Sequence, residues 1–288
     1  MSTSLASSLN PSTVGDSVTF TATISPVAPG SGSVDDGTVA FTDGTTTLGT
    51  VDVSGGMAAF TTSALAAGTH KIKAAYSGGT NGKASASSAL TQTVNKSTPN
   101  VSVTSSANPA RWSQPITFTA RVSPASGSIV PTGKVMFMNG IKTLGTVALS
   151  DGTASITVTL PVGSYSITAI YEGDADYVSN TSSALNQSVI ATDTTTGLDS
   201  SPNPSTVGQQ VALTATVTAE APGMGTINSG TVTFREGSKT WGSAPVHNGK
   251  AVLLIDTFTK GNHDITAIFH GTSFANPSVS GTLVQSVN

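Results

Sequence analysis

The sequence predicts an all-β protein: three tandem antiparallel β-sandwiches of about seven strands each. Three observations predict it. Apolar residues alternate with polar ones at a period of two, the spacing of a strand with one buried face. The alternation recurs in three blocks about 96 residues apart. The chain is also rich in residues suited to the wet face of a sheet: 46 Thr and 41 Ser in 288 residues. The branched Cβ of threonine favours extended backbone. A hydrophobic share of 37% leaves enough apolar side chains for cores, which separates the chain from a disordered or mucin-like tract.

The elements follow in order. An opening strand runs around Leu5, Val103 and Leu198. A polar phrase comes next, SSLNPSTVG at 7–15, SSANPARWS at 105–113 and SSPNPSTVG at 200–208. Pro11 and Pro204 stiffen this turn, and Gly15 and Gly208 permit unusual backbone angles. The second long strand alternates Val18, Phe20, Ala22, Ile24, matched by Ile116, Phe118, Ala120, Val122 and by Val211, Leu213, Ala215, Val217. Loops at 25–37, 123–133 and 218–230 follow, similar in length and unlike in wording.

The next strand holds Val39/Phe41, Val135/Phe137 and Val232/Phe234 and ends at the turn signals Asp43-Gly44, Asn139-Gly140 and Glu236-Gly237. A short edge segment carries Leu48-Gly49, Leu144-Gly145 and Trp241-Gly242. Strands with Ala58/Phe60, Ala154/Ile156 and Ala251/Leu253 come after it. The longest alternation is Ile72, Ala74, Tyr76, then Ile167, Ala169, Tyr171, then Ile265, Ala267, Phe269. LTQTV, LNQSV and LVQSV close the copies at Leu90, Leu185 and Leu283. The expected domains are 1–95, 96–191 and 192–288, each large enough for its own core. Seven alternating strands in about 95 residues read as a two-sheet sandwich of immunoglobulin type. A polar ring two residues before a core position marks its corner, so His70, Tyr165 and His263 are expected to bond backbone there.

The order NPSTVG, VTFTATI, GTVAF, TTTLGT, GTHKIKAAYSG, SSALTQTV resembles the group 3 bacterial immunoglobulin-like repeat, three times along nearly the whole chain. The middle copy keeps that family's YxGDxxYxxS phrase over Tyr171–Ser179, and the others lose it as YSGGTNGKAS and FHGTSFANPS. Copy two departs at Arg111-Trp112-Ser113, where its sisters have Thr-Val-Gly. The resemblance implies tandem arrays in large secreted or cell-surface proteins, hence an extracellular setting.

Chemistry is sparse. With no cysteine, disulfides and thiolate metal sites are excluded. A net charge of −3 with 9% charged residues gives no footprint for nucleic acid or an anionic membrane. No apolar run is long enough to cross a bilayer. The start, MSTSLASSLN, shows neither a basic nor an apolar leader region, so either the protein is not exported by that route or the chain is a segment cut from a longer protein, the expectation taken here. The motifs of serine hydrolases, zinc proteases and nucleotide-binding loops are missing, so no catalytic residue and no cofactor is expected.

Glu172, Asp174 and Asp176 alternate in one loop and are candidate calcium ligands; the competing reading is a polar turn whose carboxylates accept backbone N–H groups. Trp112 and Trp241 replace smaller apolar residues of the sister copies, which favours packing, with an exposed ligand platform as the alternative. The leading functional reading is a stalk or spacer, or an adhesion segment, of a surface protein. It is monomeric in isolation and has flanking domains as partners. The alternatives are a glycan- or protein-binding module and a phage decoration or fibre protein, the latter suggested by the Met1 start.

Overall fold

The computed structural model describes residues 1–80 and 82–288; Asn81, within the YSGGTNGKAS phrase, lies outside them. Among the described residues every regular element is a strand. They form two compact units. The first is Met1–Val103, Thr119–Ser155 and Thr168–Ser183; the second is Thr104–Phe118, Ile156–Ile167 and Ala184–Asn288. The division passes through the middle copy, so one of its ends belongs with copy one and the other with copy three.

In the first unit, copy one builds two sheets. Ser2–Ser7, Val18–Ser25 and Met57–Thr62 pair in that order. The facing sheet runs Ser12–Thr13, Leu90–Asn95, Gly68–Tyr76, Thr38–Asp43, Thr46–Asp52, with Ser85–Ala86 added on Gly68–Tyr76. The period-two reading is met residue by residue, because Val18, Phe20, Ala22 and Ile24 are all buried while the threonines between them face outward or lie half-buried. Phe20, Phe41 and Ile72 are fully buried, each worth about 1.5–3 kcal/mol of apolar transfer. Outside, Thr19 and Thr61 hydroxyls bond across the ladder at 2.8 Å, one of the cross-strand pairs that account for so much threonine. The Asp43-Gly44 turn closes a two-residue hairpin between Asp43 and Thr46, with Gly44 at φ +55°.

The middle copy gives the first unit the hairpin Lys134–Asn139 with Lys142–Ala148, and gives the second unit the pairing of Gly163–Ile167 with Leu185–Val189. In the second unit, copy three pairs Thr194–Ser201, Val211–Ala219 and Lys250–Ile255 against a sheet ordered Lys239–Pro245, Thr231–Glu236, Gly261–Phe269, Ser278–Val279, with Leu283–Val287 also on Gly261–Phe269. Its core gathers Leu213, Phe234, Ile265 and Phe269 without Phe20 or Phe118, as a separate interior requires.

The seven-strand expectation omits one feature. The opening strand does not end at the Asn-Pro phrase; it changes sheets there. Ser12 and Thr13 leave the first sheet and pair in parallel with Val94 and Asn95. Ala110–Arg111 with Val189–Ile190, and Ser205 with Val287, do the same. The asparagine holds the crossing. Its side-chain amide imitates a strand: Asn10 Nδ2 donates to the Thr91 carbonyl at 2.7 Å and Oδ1 accepts from Thr93 N–H at 3.0 Å. Asn108 bonds Asn186 and Ser188 at 2.7 and 3.0 Å, and Asn203 bonds Val284 and Ser286 likewise. The last strand therefore keeps its ladder satisfied where backbone is absent.

Candidate functional site

The residues singled out by sequence fall into two places: the corner of each copy and the junctions between copies. At the corner, each polar ring bonds the carbonyl four residues back. His70 Nε2 reaches Ala66 O at 2.9 Å, the Tyr165 hydroxyl donates to Pro161 O at 2.7 Å, and His263 Nε2 reaches Thr259 O at 2.9 Å. The histidines hold a second bond that the sequence reading missed. His70 Nδ1 lies 2.7 Å from Asp43 Oδ2, and His263 Nδ1 lies 2.9 Å from Glu236 Oε1. The hairpin residue and the corner ring change together: a carboxylate stands opposite each histidine, and Asn139 takes that place in the copy with Tyr165. That paired change was the available signal. Burial alone would raise the Asp43 carboxyl, but the bonds from His70 and Lys71 N–H hold it below its ordinary 3.8. Burial would likewise depress His70, and its bonds to Asp43 and Ala66 lift it above 6.5.

The three alternating carboxylates do not form a cation cage. Among the described residues no three carboxylate or histidine groups converge as metal ligands. Asp174 Oδ2 accepts from Thr132 N–H and its hydroxyl, and Oδ1 accepts from Asp176 and Tyr177 N–H, all within 2.7–2.8 Å. Asp176 Oδ1 accepts from Ala67 N–H of copy one at 2.7 Å, and the Glu172 side chain is exposed. Four backbone and hydroxyl donors occupy the oxygens a hard cation would need.

The junctions are built from three pieces. The join is stitched into the next copy: Ser97 N–H donates to Asp176 O at 3.0 Å and Ser97 O accepts from Val178 N–H at 3.0 Å. At the second join Thr192 exchanges the same pair of bonds with Phe274 and Asn276, at 3.0 and 2.8 Å. The opening turn of one copy then meets the long loop of the next. A Cβ at Gly15 would stand 2.4 Å from the Ser126 carbonyl oxygen, and one at Gly127 would stand 2.6 Å from Gly15 Cα. One junction further on, a Cβ at Gly225 would stand 3.0 Å from Ser113 Oγ and 3.3 Å from the Trp112 ring. The third piece is the loop residue before the bridge, Asp176 on Ala67 N–H at the first junction and Phe274 at the second.

Trp112 therefore sits on protein. Its ring lies 4.4 Å from that of Phe274 and packs against the core of copy three. Arg111 beside it pairs with Asp193 at 2.9 Å and donates to Ala191 O at 2.8 Å. The Arg-Trp-Ser departure of copy two is the surface that receives copy three. Trp241 is elsewhere, 4.4 Å from Phe258, with the Lys239 ammonium 3.4 Å over its ring and its indole N–H bonded to Glu236 at 3.2 Å. The long loops also carry more likeness than their wording suggested: Ala28-Pro29-Gly30-x-Gly32 and Ala221-Pro222-Gly223-x-Gly225 coincide in sequence, and Gly32 and Gly225 share φ +116°.

Three solved structures similar to the chain share little of its sequence. The FdeC adhesin of Escherichia coli is 19% identical over 99% of this chain and 96% of that one, with a TM-score of 0.35. Domains A168–A170 of titin are 12% identical over 98% and 97%, at 0.38. The three N-terminal domains of the bacteriophage RB49 highly immunogenic outer capsid protein are 12% identical over 100% and 99%, at 0.28. No curated protein matches the sequence. The family model for the bacterial Ig-like domain (group 3) matches three times, over residues 5–95, 103–190 and 198–288. Three matches spanning nearly all of the described strands leave one reading: the chain belongs to the group 3 bacterial Ig-like domain family, as a tandem array of three.

Proposed function

We infer that this array is a non-enzymatic mechanical module: a spacer or adhesion segment of a bacterial cell-surface or secreted protein that carries load along its length. The supporting observation is the construction of the two junctions. Each join lends backbone bonds to the following copy, and that copy's loop closes on the preceding opening turn. Short stitched joins resist hinge motion, whereas tandem domains ordinarily share modest polar contacts. The side chains that a ligand-binding reading would use are engaged within the protein, as Trp112 is on Phe274 and Asp174 on backbone N–H groups.

Pulling the chain from its two ends tests this. Three unfolding events are expected, each releasing on the order of 90 residues and so roughly 300 Å of extended chain. The junction bonds should make the first rupture depend on the joins. A single event, or a glycan-array signal lost in Trp241→Ala, would replace the spacer reading with a binding one.

A further inference from the structure

The outer face of one edge strand in copy three departs from its sisters at four alternate positions. Lys250–Ile255 ends its sheet, pairing with Val211–Ala219 and, among the described residues, with no other strand. Ala251, Leu253 and Ile255 turn toward the core, while Lys250, Val252, Leu254 and Asp256 are exposed. Copy one has Met57, Ala59, Thr61 and Ser63 at those four places, and copy two has Thr153, Ser155, Thr157 and Thr159. In the sisters Thr61, Ser155 and Thr157 bond hydroxyls of the neighbouring strand at 2.8, 3.0 and 2.8 Å, so that face is polar and its hydroxyls are engaged. Val252 and Leu254 are instead 50% and 57% exposed. An open edge with an apolar outer face is a template for another strand.

The backbone points the same way. Gly249 O accepts from Val217 N–H at 2.7 Å, toward the sheet, while Lys250 exchanges bonds with His247 at 2.8 and 3.0 Å, away from it. That direction alternates along an antiparallel strand, so Val252 and Leu254 carry their N–H and C=O groups to the open edge. The segment KAVLLID at 250–256 is also complementary to itself when reversed. Laid antiparallel on a second copy about Leu253, it sets Lys250 opposite Asp256 and Val252 opposite Leu254. Sliding by two residues gives the next registers that keep both backbones and both outer faces matched. Those registers set Asp256 against Val252, or Lys250 against Leu254, a charge against an apolar side chain.

We propose that this strand joins two copies of the chain edge to edge: the Lys250–Ile255 strands pair antiparallel about a two-fold axis at Leu253, and two three-stranded sheets become one of six. Val252 of each copy exchanges both backbone bonds with Leu254 of the other, and the same side chains cover one another on the outer face. The Lys250–Asp256 pairs flank them and fix the register. The same patch serves on both molecules, so the contact closes as a dimer. It is small for an interface between proteins, so the association is weak and the dilute chain is monomeric.

Sedimentation velocity of the whole chain at low ionic strength, over a concentration series, tests this. The weight-average sedimentation coefficient of the native chain is expected to rise and level off at a dimer. Lys250→Asp and Asp256→Lys each set like charges opposite one another at both flanks, and each should weaken dimerisation about tenfold or more. An equimolar mixture of the two variants brings opposite charges back to both flanks, so association should return in the mixture. Val252→Thr with Leu254→Thr keeps strand-forming residues but makes the face polar, and should leave the coefficient flat. All four positions are exposed, and an unchanged melting temperature shows that each variant folds. A flat native chain overturns the proposal. So does association that survives in both charge variants, or a mixture no more associated than its components. Sedimentation does not bear on load, so the spacer reading stands or falls separately.

Discussion

A buried glutamine shows how much of each copy rests on one side chain. Gln187 lies 1% exposed and fixes the strand crossing: its Nε2 donates to Ala107 O at 2.9 Å and its Oε1 accepts from Ser105 at 2.6 Å. Gln285 does the same work less completely, since among the described residues its Oε1 has no partner. Replacing Gln187 by leucine removes three short bonds, to Ser105 Oγ, Ser188 O and Ala107 O at 2.6, 2.8 and 2.9 Å, at about 1 kcal/mol each. Gln285→Leu removes three longer ones, at 3.1–3.2 Å, together with the unpaired buried Oε1, and costs less. Urea midpoints of the two variants check the order. Among the described residues the buried Tyr171 hydroxyl has no partner in hydrogen-bond geometry, and burial, with the Asp174 carboxylate nearby, raises its pKa far above the ordinary 10.0. Tyr171→Phe, which restores the residue copy three has as Phe269, is expected to leave the melting temperature unchanged or slightly higher. The His70–Asp43 pair makes copy one sensitive to pH. The raised His70 contribution is complete below 6.5 and is lost as pH rises through the folded value; the lowered Asp43 contribution is complete above 3.8 and is lost as pH falls through its own. The melting temperature of copy one should therefore be highest between roughly 4 and 6.5, and His70→Gln should remove the decline on the alkaline side.

Among the elements, the long strands were legible and the crossing was not. Val18 to Ile24 alternate on backbone geometry alone, so local pattern suffices. Ser12–Thr13 form two residues of strand whose partner is Val94, some eighty positions away, and a pair that short has no period to read. What marked it was Asn10, whose amide role depends on the distant last strand. The opening turn offers a clean measurement of junction strength. Gly15→Ala and Gly208→Ala place a methyl at similar positive φ, so both incur the backbone strain of roughly 1–2 kcal/mol. Only the first also drives Cβ into the Ser126 carbonyl. Calorimetry should show Gly15→Ala as the more damaging, by an amount that reports the loop contact. Equal losses would mean that the loop yields freely.

At the scale of the whole molecule, the triplication was plain in the sequence because every landmark repeats near the same interval. The corner rings were legible for a similar reason: His70, Tyr165 and His263 keep one position relative to the core. The junctions were hidden because their partners belong to different copies. Read within its own repeat, Arg111-Trp112-Ser113 is a worn version of Thr-Val-Gly; read against copy three, it matches Phe274 and Asp193. In the Glu172–Asp176 loop the polar-turn reading describes Asp174, which accepts backbone N–H groups, while the bond from Asp176 to Ala67 of copy one was hidden in the same way.

The indole at position 112 and the acid at position 176 also give the array a fixed sequence of seats. A gene that shuffled the repeats, setting the middle one ahead of itself, would bring Trp112 against Asp176 and leave a bulky apolar ring facing a charge. The order of the copies is therefore written into the residue pairs at the seams.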